Sequence, residues 1–292
     1  MTDTEIHEPL AAGMTRVWRL GEVLHSGHTE YQQVTIARTA QGIALFCDDD
    51  RQSTEFSQLV YHEALVVPAL LLASRLDRVL IIGSSEGVAS QMAAAAGAGQ
   101  VDHVDIDAEA VRLCARHLPY GYTPSDMDSA LRGDGTIRLH RADGWQFVRD
   151  AAPRGAGYDV IVVDLPDERE GGAQHNRLYG KEFLAQCRSA LAPGGVVAYQ
   201  AGCPTLWRNA TLLRSWQRFT EVFDTCVYFG SDEHEWSFLF GLASPVADPT
   251  AAMIERLGSC RYRPRSIDTE ALRGATVPPH ALRHAPHTRE VR

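Results

Sequence analysis

The sequence lacks the signals that place a protein in a membrane or outside the cell. No apolar run reaches the roughly 18 residues that a membrane-spanning helix needs. The acidic N-terminus has neither the basic start nor the apolar core of a signal peptide. The six cysteines are scattered without a CxxC pair, which argues against zinc sites and disulfides. These absences predict a cytoplasmic protein with reduced thiols and no membrane contact.

Complete nucleotide-binding signatures are also missing. The turn Gly83-Ser-Ser-Glu-Gly87 has neither the GxGxxG spacing of a dinucleotide site nor the Gly-Lys-Ser/Thr of a P-loop. The formal net charge of −9 argues against nucleic acid as a partner and is compatible with a cationic substrate. No DxDxDG loop occurs, so we expect no metal ion.

Strand and helix patterns alternate over the middle of the chain. This succession predicts an α/β fold with a mostly parallel sheet and right-handed crossovers. Residues 225–229 and 237–242 are candidates for an antiparallel pair at one edge. The predicted parallel strands are residues 78–82, 101–107, 137–140, 160–163 and 195–200.

Three regions are predicted from these patterns. Residues 1–72 form a β-rich N-terminal domain that ends in a helix. Residues 73–246 form the catalytic domain with the parallel sheet. Residues 247–292 are rich in Arg, Pro and His and are poorly patterned, so we expect a tail that is partly disordered in its last dozen residues.

Two acids, Asp164 and Asp167, follow the apolar run of residues 158–163. The carboxyl ends of parallel strands form the crevice in which open α/β sheets bind ligands. Acids at that position can hold a cationic substrate, accept a proton from it, or both. The alternative is that this Asp-x-x-Asp pair only caps turns.

Further acids follow the neighbouring predicted strands. Asp105 lies about 20 residues beyond the glycine turn, where nucleotide-binding sheets place an acid for ribose hydroxyls. We assign that role to Asp105, whereas Asp107 could instead cap the helix that begins at Ala108. Asp143 either accepts a hydrogen bond from an adenine amino group or is a turn residue. The turn after residue 82 could present backbone N–H groups to a ligand or be a plain βα connection.

Two aromatic side chains have more than one interpretation. Trp236 either packs at the sheet edge or walls a pocket, since aromatic faces hold cations well. His62 is interpreted as a packed helix residue rather than a catalyst.

Motifs between residues 23 and 280 resemble those of the spermidine synthase-like polyamine aminopropyltransferases, most closely the thermospermine synthase branch. They occur in the order and at the spacing of that family. The matching segments are residues 24–32, Gln52-Ser-Thr-Glu55, Tyr61-His-Glu63, Val104-Asp-Ile-Asp107, Asp164-Leu-Pro-Asp167, Glu170-Gly-Gly172, Leu178-Tyr-Gly-Lys-Glu-Phe183 and Gln200-Ala-Gly202.

The resemblance implies a Rossmann-like fold of the S-adenosylmethionine-dependent methyltransferase type, with a small N-terminal β-hairpin domain. It also implies a homodimer or homotetramer that uses decarboxylated S-adenosylmethionine and a small amine, without a metal. Carried over by position, Gln32 and Asp105 would hold the ribose, Asp143 the adenine and Glu86 the aminopropyl ammonium.

The remaining roles implied by the resemblance concern the turn and the acceptor. Gly83, Ser84 and Ser85 would contact the methionine-derived part of the donor. Asp164 would lie nearest the reacting amine. The pocket around that amine would be lined by Asp167, Tyr61, Gln200 and Trp236.

Departures from the family pattern all lie on the substrate side. Ser84 and Ser85 replace two glycines and would crowd the donor, and Ser57-Gln58 replaces an acidic pair near the entrance. Glu168 replaces a proline, and residues 230–236 replace a Val-Pro loop.

These departures leave two alternatives to aminopropyl transfer open. One is methyl or alkyl transfer from intact S-adenosylmethionine. Glu86 should repel the carboxylate of that donor, whereas the serine hydroxyls could bind it. The other is a non-catalytic relative that has kept the fold, against which the retention of both Asp164 and Asp167 argues.

Overall fold

The computed structural model describes residues 4–151, 157–169, 172–231 and 233–284. The strands are β1 (Thr4–Ala11), β2 (Met14–Leu20), β3 (Val23–His28), β4 (Gln33–Thr39), β5 (Gly42–Cys47), β6 (Asp50–Thr54), β7 (Arg78–Gly83), β8 (Gln100–Asp105), β9 (Ile137–Arg141), β10 (Tyr158–Asp164), β11 (Leu191–Gln200), β12 (Thr225–Gly230) and β13 (Ser237–Leu242). The helices are α1 (Gln58–Leu72), α2 (Val88–Ala95), α3 (Ala108–His117), α4 (Pro124–Arg132), α5 (Gly144–Ala151), a 3₁₀ helix (Gln174–Tyr179), α6 (Lys181–Ser189), α7 (Ala210–Val222), α8 (Pro249–Leu257), α9 (Thr269–Ala275) and α10 (His280–Arg283).

A seven-stranded sheet in the order β12-β13-β11-β10-β7-β8-β9 forms the centre of the molecule. From β11 to β9 all neighbours are parallel. At the other edge β13 is antiparallel to both β11 and β12. The predicted α/β fold and its antiparallel edge pair are therefore confirmed. Helices cover both faces, which is why β7 and β10 are continuous apolar runs.

From β7, the chain adds β8 and β9 on one side of the sheet and then β10 and β11 on the other. We call the point between β7 and β10 the strand reversal; it is the position at which open α/β sheets bind ligands. Asp164 is the register partner of Gly83 across this pair. Gly83 has φ +76°, and a Cβ atom on it would lie 2.1 Å from the carbonyl oxygen of Asp164. The reversal point therefore requires glycine, both for its backbone conformation and for the close approach of β10.

The N-terminal region has more strands than the predicted hairpin. A two-stranded sheet of β1 and β2 accompanies a four-stranded antiparallel sheet of β3 to β6. The sequence did not predict β1 and β2, because most of their residues are exposed and they lack clean alternation. Only a few of their side chains, including Ile6 and Trp18, pack against Phe46 of β5.

Helix α1 belongs to the core of the large sheet. Residues 64–72 are buried in one cluster with Val79 of β7 and Val160 of β10. The predicted N-terminal domain, residues 1–72, includes this helix. In the structure, the helix packs in the core of the seven-stranded sheet.

The C-terminal segment is folded against the same core. Met253 of α8 and Leu272 of α9 are fully buried, and Leu282 of α10 packs in the cluster on the opposite face of the sheet. The buried Glu63 carboxylate anchors this segment by accepting hydrogen bonds from the Tyr262 hydroxyl at 2.9 Å and the Ser266 N–H at 2.7 Å. The poorly patterned tail expected from residue 247 is thus helical in three places. Most of the segment expected to be disordered, residues 285–292, lies outside the described residues.

None of the helices in the described ranges has the length and hydropathy that a bilayer crossing requires.

Replacing Gly83 by alanine tests the close approach at the strand reversal. Gly13 is a matched control because its φ is also +76°, but no atom lies within 4 Å of a Cβ built there. We expect Gly13→Ala to cost roughly 1–2 kcal/mol, the penalty for a left-handed backbone. Gly83→Ala should lower the free energy of unfolding by about 2 kcal/mol more, because the overlap with Asp164 must be relieved. Equal losses for both variants in urea denaturation would contradict the tight pairing of β7 with β10.

Candidate active site

A cavity of about 370 Å³ lies at the carboxyl ends of the parallel strands. Loops after β7, β8, β9, β10 and β11 form one side, and residues of β5 and β6 form part of the other. With the exception of Ser84, the predicted site residues line this cavity, namely Gln32, Tyr61, Gly83, Ser85, Glu86, Asp105, Asp143, Asp164, Asp167, Gln200 and Trp236.

Asp164, at the end of β10, is held by Tyr61 of α1. The Tyr61 hydroxyl donates a hydrogen bond to Asp164 Oδ1 at 2.5 Å. Burial raises the pKa of Asp164, and the charge of Glu86 acts in the same direction. Burial and the Asp164 charge raise the pKa of Tyr61 well above its usual value, so the phenol keeps its proton. Asp164 is therefore an oriented carboxylate with an increased affinity for a proton.

Asp105 ends β8 and faces the glycine turn. Its oxygens accept hydrogen bonds from the Ser85 hydroxyl and the Asp107 N–H, each at 2.8 Å. Burial raises the pKa of Asp105 to about 6, although both hydrogen bonds oppose the shift. Because the Ser85 hydroxyl donates to Asp105, it is not the free carboxylate ligand that the sequence left open.

Ser84 is not among the residues that line the cavity, and its predicted contact with the donor stays a prediction. It is buried, with φ +60°, and its backbone N–H donates to the Asp164 carbonyl oxygen at 3.1 Å. Its side chain also acts on the Asp164 carboxylate, where it opposes the rise in pKa that burial causes.

Asp107 and Gln32 form a connected pair beside Asp105. Asp107 caps α3 by accepting a hydrogen bond from the Ala110 N–H at 3.0 Å. Its second oxygen accepts from the Gln32 amide at 3.0 Å and the Thr29 hydroxyl at 2.6 Å. The helix-capping interpretation of Asp107 is confirmed, and the same contacts fix Gln32 at the cavity wall.

Asp143 also combines a structural and a cavity position. One oxygen accepts hydrogen bonds from the backbone N–H groups of Trp145 and Gln146 at the start of α5. The other oxygen is paired with the Arg177 guanidinium. Both oxygens thus have partners within the protein.

Glu86 differs from the other acids of the wall. Glu86 is only 7% exposed, and it lines the cavity. Within the described part of the chain, no hydrogen-bond donor or cation contacts its carboxylate. An unpaired carboxylate that faces a cavity favours a cationic ligand. The side chain lies in the turn between β7 and α2, next to Ser85.

Asp167 is engaged on both oxygens. The Gln200 amide donates to Oδ1 at 2.6 Å, and an Arg208 guanidinium nitrogen lies 3.6 Å from Oδ2. Gln200 is itself oriented by the Tyr179 hydroxyl, which donates to its Oε1 at 2.8 Å. Gln200 therefore lines the cavity chiefly as a residue that positions Asp167.

The face of Trp236 is occupied by an arginine of the protein. The Arg51 guanidinium carbon lies 4.3 Å from the ring centroid, and Arg51 Nη2 donates a hydrogen bond to Glu235 Oε2 at 2.6 Å. Trp236 also packs edge-on against Tyr61, with 5.6 Å between ring centroids. It walls the cavity as predicted, but Arg51 already supplies a cation to its face.

Arginines are the cavity residues that the sequence did not predict. They belong to no motif, and their positions follow from the folding of distant loops onto one opening. Arg169 pairs with Asp48 and Asp50, in addition to the pairs already described. The arginines of the lining are Arg51, Arg169, Arg177 and Arg208.

These pairs divide the acids of the wall into two groups. Glu86, Asp105, Asp107 and Asp164 form no ion pair with an arginine or lysine among the residues that the structure describes, although the charge of His62 opposes the rise in the Asp164 pKa that burial causes. The acids that do have an arginine partner are Asp48, Asp50, Asp143 and Asp167. Positive charge of a ligand is therefore expected at the strand reversal, near Glu86 and Asp164.

The residues that depart from the family pattern do not all lie at the cavity. Ser57 and Gln58 start α1 outside the cavity lining, so their change removes no charge from the wall. Glu168 pairs with Arg214 and Arg218 of α7 and ties the loop after β10 to that helix. His62 is buried with its Nδ1 2.7 Å from the Gln58 carbonyl oxygen, as expected of a packed helix residue.

The ligand set for a metal ion is not assembled within the described residues. No group of three His, Cys, Asp or Glu side chains there has the arrangement of a metal site.

Known relatives and structures share this architecture. The structure of spermidine synthase in complex with the transition state analogue AdoDATO superposes with a TM-score of 0.82 over 96% of this chain and 93% of that chain, at 19% identity. Spermidine synthase from Thermotoga maritima superposes with a TM-score of 0.80 over 96% of this chain and 92% of that chain, also at 19% identity. At such low identity, the two structures establish the fold alone.

Sequence relatives extend the comparison. Polyamine aminopropyltransferase 1 of Hyperthermus butylicus is 32% identical over 191 residues, which cover 65% of this chain but less than two thirds, 63%, of that protein. Polyamine aminopropyltransferase 2 of the same organism is 34% identical over 246 residues, covering 82% of this chain and 77% of that protein. The family model of the spermine/spermidine synthase domain matches residues 58–230. This chain therefore belongs to the spermine/spermidine synthase domain family.

Proposed function

We propose that this protein transfers the aminopropyl group of decarboxylated S-adenosylmethionine to a di- or polyamine and releases methylthioadenosine. The observation that carries the proposal is the pair of carboxylates at the strand reversal, Glu86 and Asp164, which no arginine or lysine of the described residues neutralises. The relatives named polyamine aminopropyltransferase and the family membership support it.

The nucleoside of the donor would lie over the ends of β8 and β9. Asp105 accepts the ribose hydroxyls, with Gln32 beside it, and Asp143 faces the adenine. The ammonium of the aminopropyl group pairs with Glu86 and compensates its buried charge. Intact S-adenosylmethionine would bring a carboxylate to the same place, where Glu86 repels it. This charge relation favours aminopropyl transfer over the methyl-transfer alternative.

The acceptor amine must lose a proton before its lone pair can attack the carbon next to the sulfonium. Asp164 holds the ammonium, and its raised pKa suits it to accept that proton. The new C–N bond forms as the C–S bond breaks, and the electron pair of that bond stays on sulfur as a neutral thioether. Because the sulfonium is already an activated leaving group, alignment of the two substrates supplies much of the remaining rate.

We also propose a cytoplasmic location and a homodimer or homotetramer. The six cysteines have free thiols, which is typical of proteins in reducing compartments. The assembly is proposed from the family resemblance, and light scattering of the purified protein measures it.

Replacing Asp164 by asparagine tests the proposed reaction. We expect the wild-type protein to release methylthioadenosine from decarboxylated S-adenosylmethionine and an amine. Asp164→Asn should bind the donor but turn over at least about 100-fold more slowly, because the amide cannot accept the proton. Asp134→Asn is a matched control, since that acid is exposed and pairs only with Arg132 on the surface.

The measurement is chromatographic identification of the thioether, with donor binding followed by thermal shift. Each sulfonium donor is incubated with a panel of amines. Release of S-adenosylhomocysteine from the intact donor would favour methyl transfer instead. An Asp164→Asn variant with full activity would disprove the role of this acid, and absence of either thioether and of donor binding would support a non-catalytic relative.

The pKa of Asp105 predicts how donor binding depends on pH. The carboxylate form accepts hydrogen bonds from two ribose hydroxyls, and this form is lost as the pH falls below about 6. We expect the dissociation constant of the donor to rise by about tenfold per pH unit below that value. The nearby acids Asp107 and Glu86 raise the pKa of Asp105 and are kept in every variant.

Calorimetric titration with the donor between pH 8 and pH 5 would measure this dependence. Asp105→Asn should bind the donor more weakly at pH 8 and show a flatter profile. A wild-type affinity that stays constant down to pH 5 would contradict the assignment of Asp105 to the ribose.

A further inference from the structure

The acceptor end of the cavity contains an acid and an arginine side by side. Asp167 and Arg208 lie 3.6 Å apart, and their side chains are only 21% and 15% exposed. Asp167 follows β10 three residues after Asp164, and Arg208 lies in the loop between β11 and α7. Both line the same cavity as Asp164.

The N–H groups of the Arg208 guanidinium are available to a ligand. Its guanidinium makes no hydrogen bond to any residue that the structure describes, since the separation from Asp167 is too long for one. A guanidinium presents its N–H groups in a planar fork that matches a carboxylate. The charges of Asp50 and Glu235 also act on Arg208, but neither forms a hydrogen bond with it, so its N–H groups can still bind an anionic group of a ligand.

Arg51 adds a second positive charge to this end. It is 6% exposed, lies over Trp236 and contributes to the same lining. Its hydrogen bond goes to Glu235, which lies outside the lining. Because Glu235 already pairs with Arg51, the guanidinium with unused N–H groups that a ligand would meet at this end is that of Arg208.

We propose that the acceptor is a diamino acid, a diamine with a carboxylate next to its far amino group. This inference rests on the proposed function and specifies its acceptor. The ω-amine binds at Asp164 and attacks the aminopropyl carbon, giving its proton to that carboxylate. The α-ammonium pairs with Asp167, and the α-carboxylate pairs with Arg208. Each charge of the acceptor then faces an opposite charge of the protein.

Two pairs of probes differ only in the carboxylate. Ornithine is putrescine with an α-carboxylate, and lysine is cadaverine with one. We expect wild-type kcat/KM for the better amino acid to exceed that of its diamine by at least about tenfold, as for other charges matched in a buried site. Arg208→Gln should lose at least about tenfold on the amino acid without loss on the diamine. Arg208→Glu should reverse the preference.

Arg214→Gln is the matched control. Arg214 lies six residues further along, on α7, outside the cavity lining, and pairs with Glu168. We expect it to keep the wild-type preference. If Arg208 served only to neutralise Asp167, Arg208→Gln would improve diamine use but leave amino acid use unchanged.

A binding measurement separates this inference from the proposed reaction. Calorimetry with methylthioadenosine present gives the affinity of each probe without turnover. Tighter binding of ornithine or lysine than of its diamine, lost in Arg208→Gln, supports the inference. Tighter binding of the diamines, or of neither class, overturns it. The proposed function fails separately, if no probe of either class yields methylthioadenosine.

Discussion

The site depends on the close parallel pairing of β7 with β10. Gly83 and Asp164 face each other in register at the strand reversal, where no Cβ atom fits on the glycine. This contact brings the turn after β7 against the end of β10. The turn positions Glu86 and Ser85, and the strand end positions Asp164. The buried His103 of β8 braces the same turn, with its Nε2 2.9 Å from the Gly83 carbonyl oxygen.

Charge pairing then separates the cavity into regions with different chemistry. Outer acids such as Asp143 and Asp50 are neutralised by arginines, whereas Glu86 and Asp164 at the reversal are not. Burying an unpaired charge costs free energy, and a cationic ligand regains it on binding. The donor ammonium and the acceptor amine are both cations before reaction. In the proposed reaction, these acids would bind both reactants next to the carbon at which they must meet.

Much of the sheet was predictable because its strands are buried on both faces. The run before Asp164 and the glycine turn were both recognisable, and with them most of the cavity acids. Strand β1 was not predictable, because its polar, exposed residues carry no periodic signal. Helix α4 did have a signal that went unused, a capping box between Thr123 and Asp126.

The arginines of the cavity could not be predicted from local patterns. Arg208 and Arg51 meet the acids of other loops only after the chain has folded, and no spacing marks them. For Ser84 the motif predicts a contact with the donor, and the structure adds a contact that the motif does not specify. Its backbone N–H donates to the Asp164 carbonyl oxygen of β10. Side-chain direction at a strand reversal follows from backbone conformation, which a motif does not specify.

In the proposed reaction, the unpaired carboxylate of Glu86 selects a donor with an ammonium and no carboxylate. Calorimetric titration of the wild-type protein with decarboxylated and intact S-adenosylmethionine measures this selection. We expect the decarboxylated donor to bind at least about tenfold more tightly. Equal or tighter binding of the intact donor would contradict it.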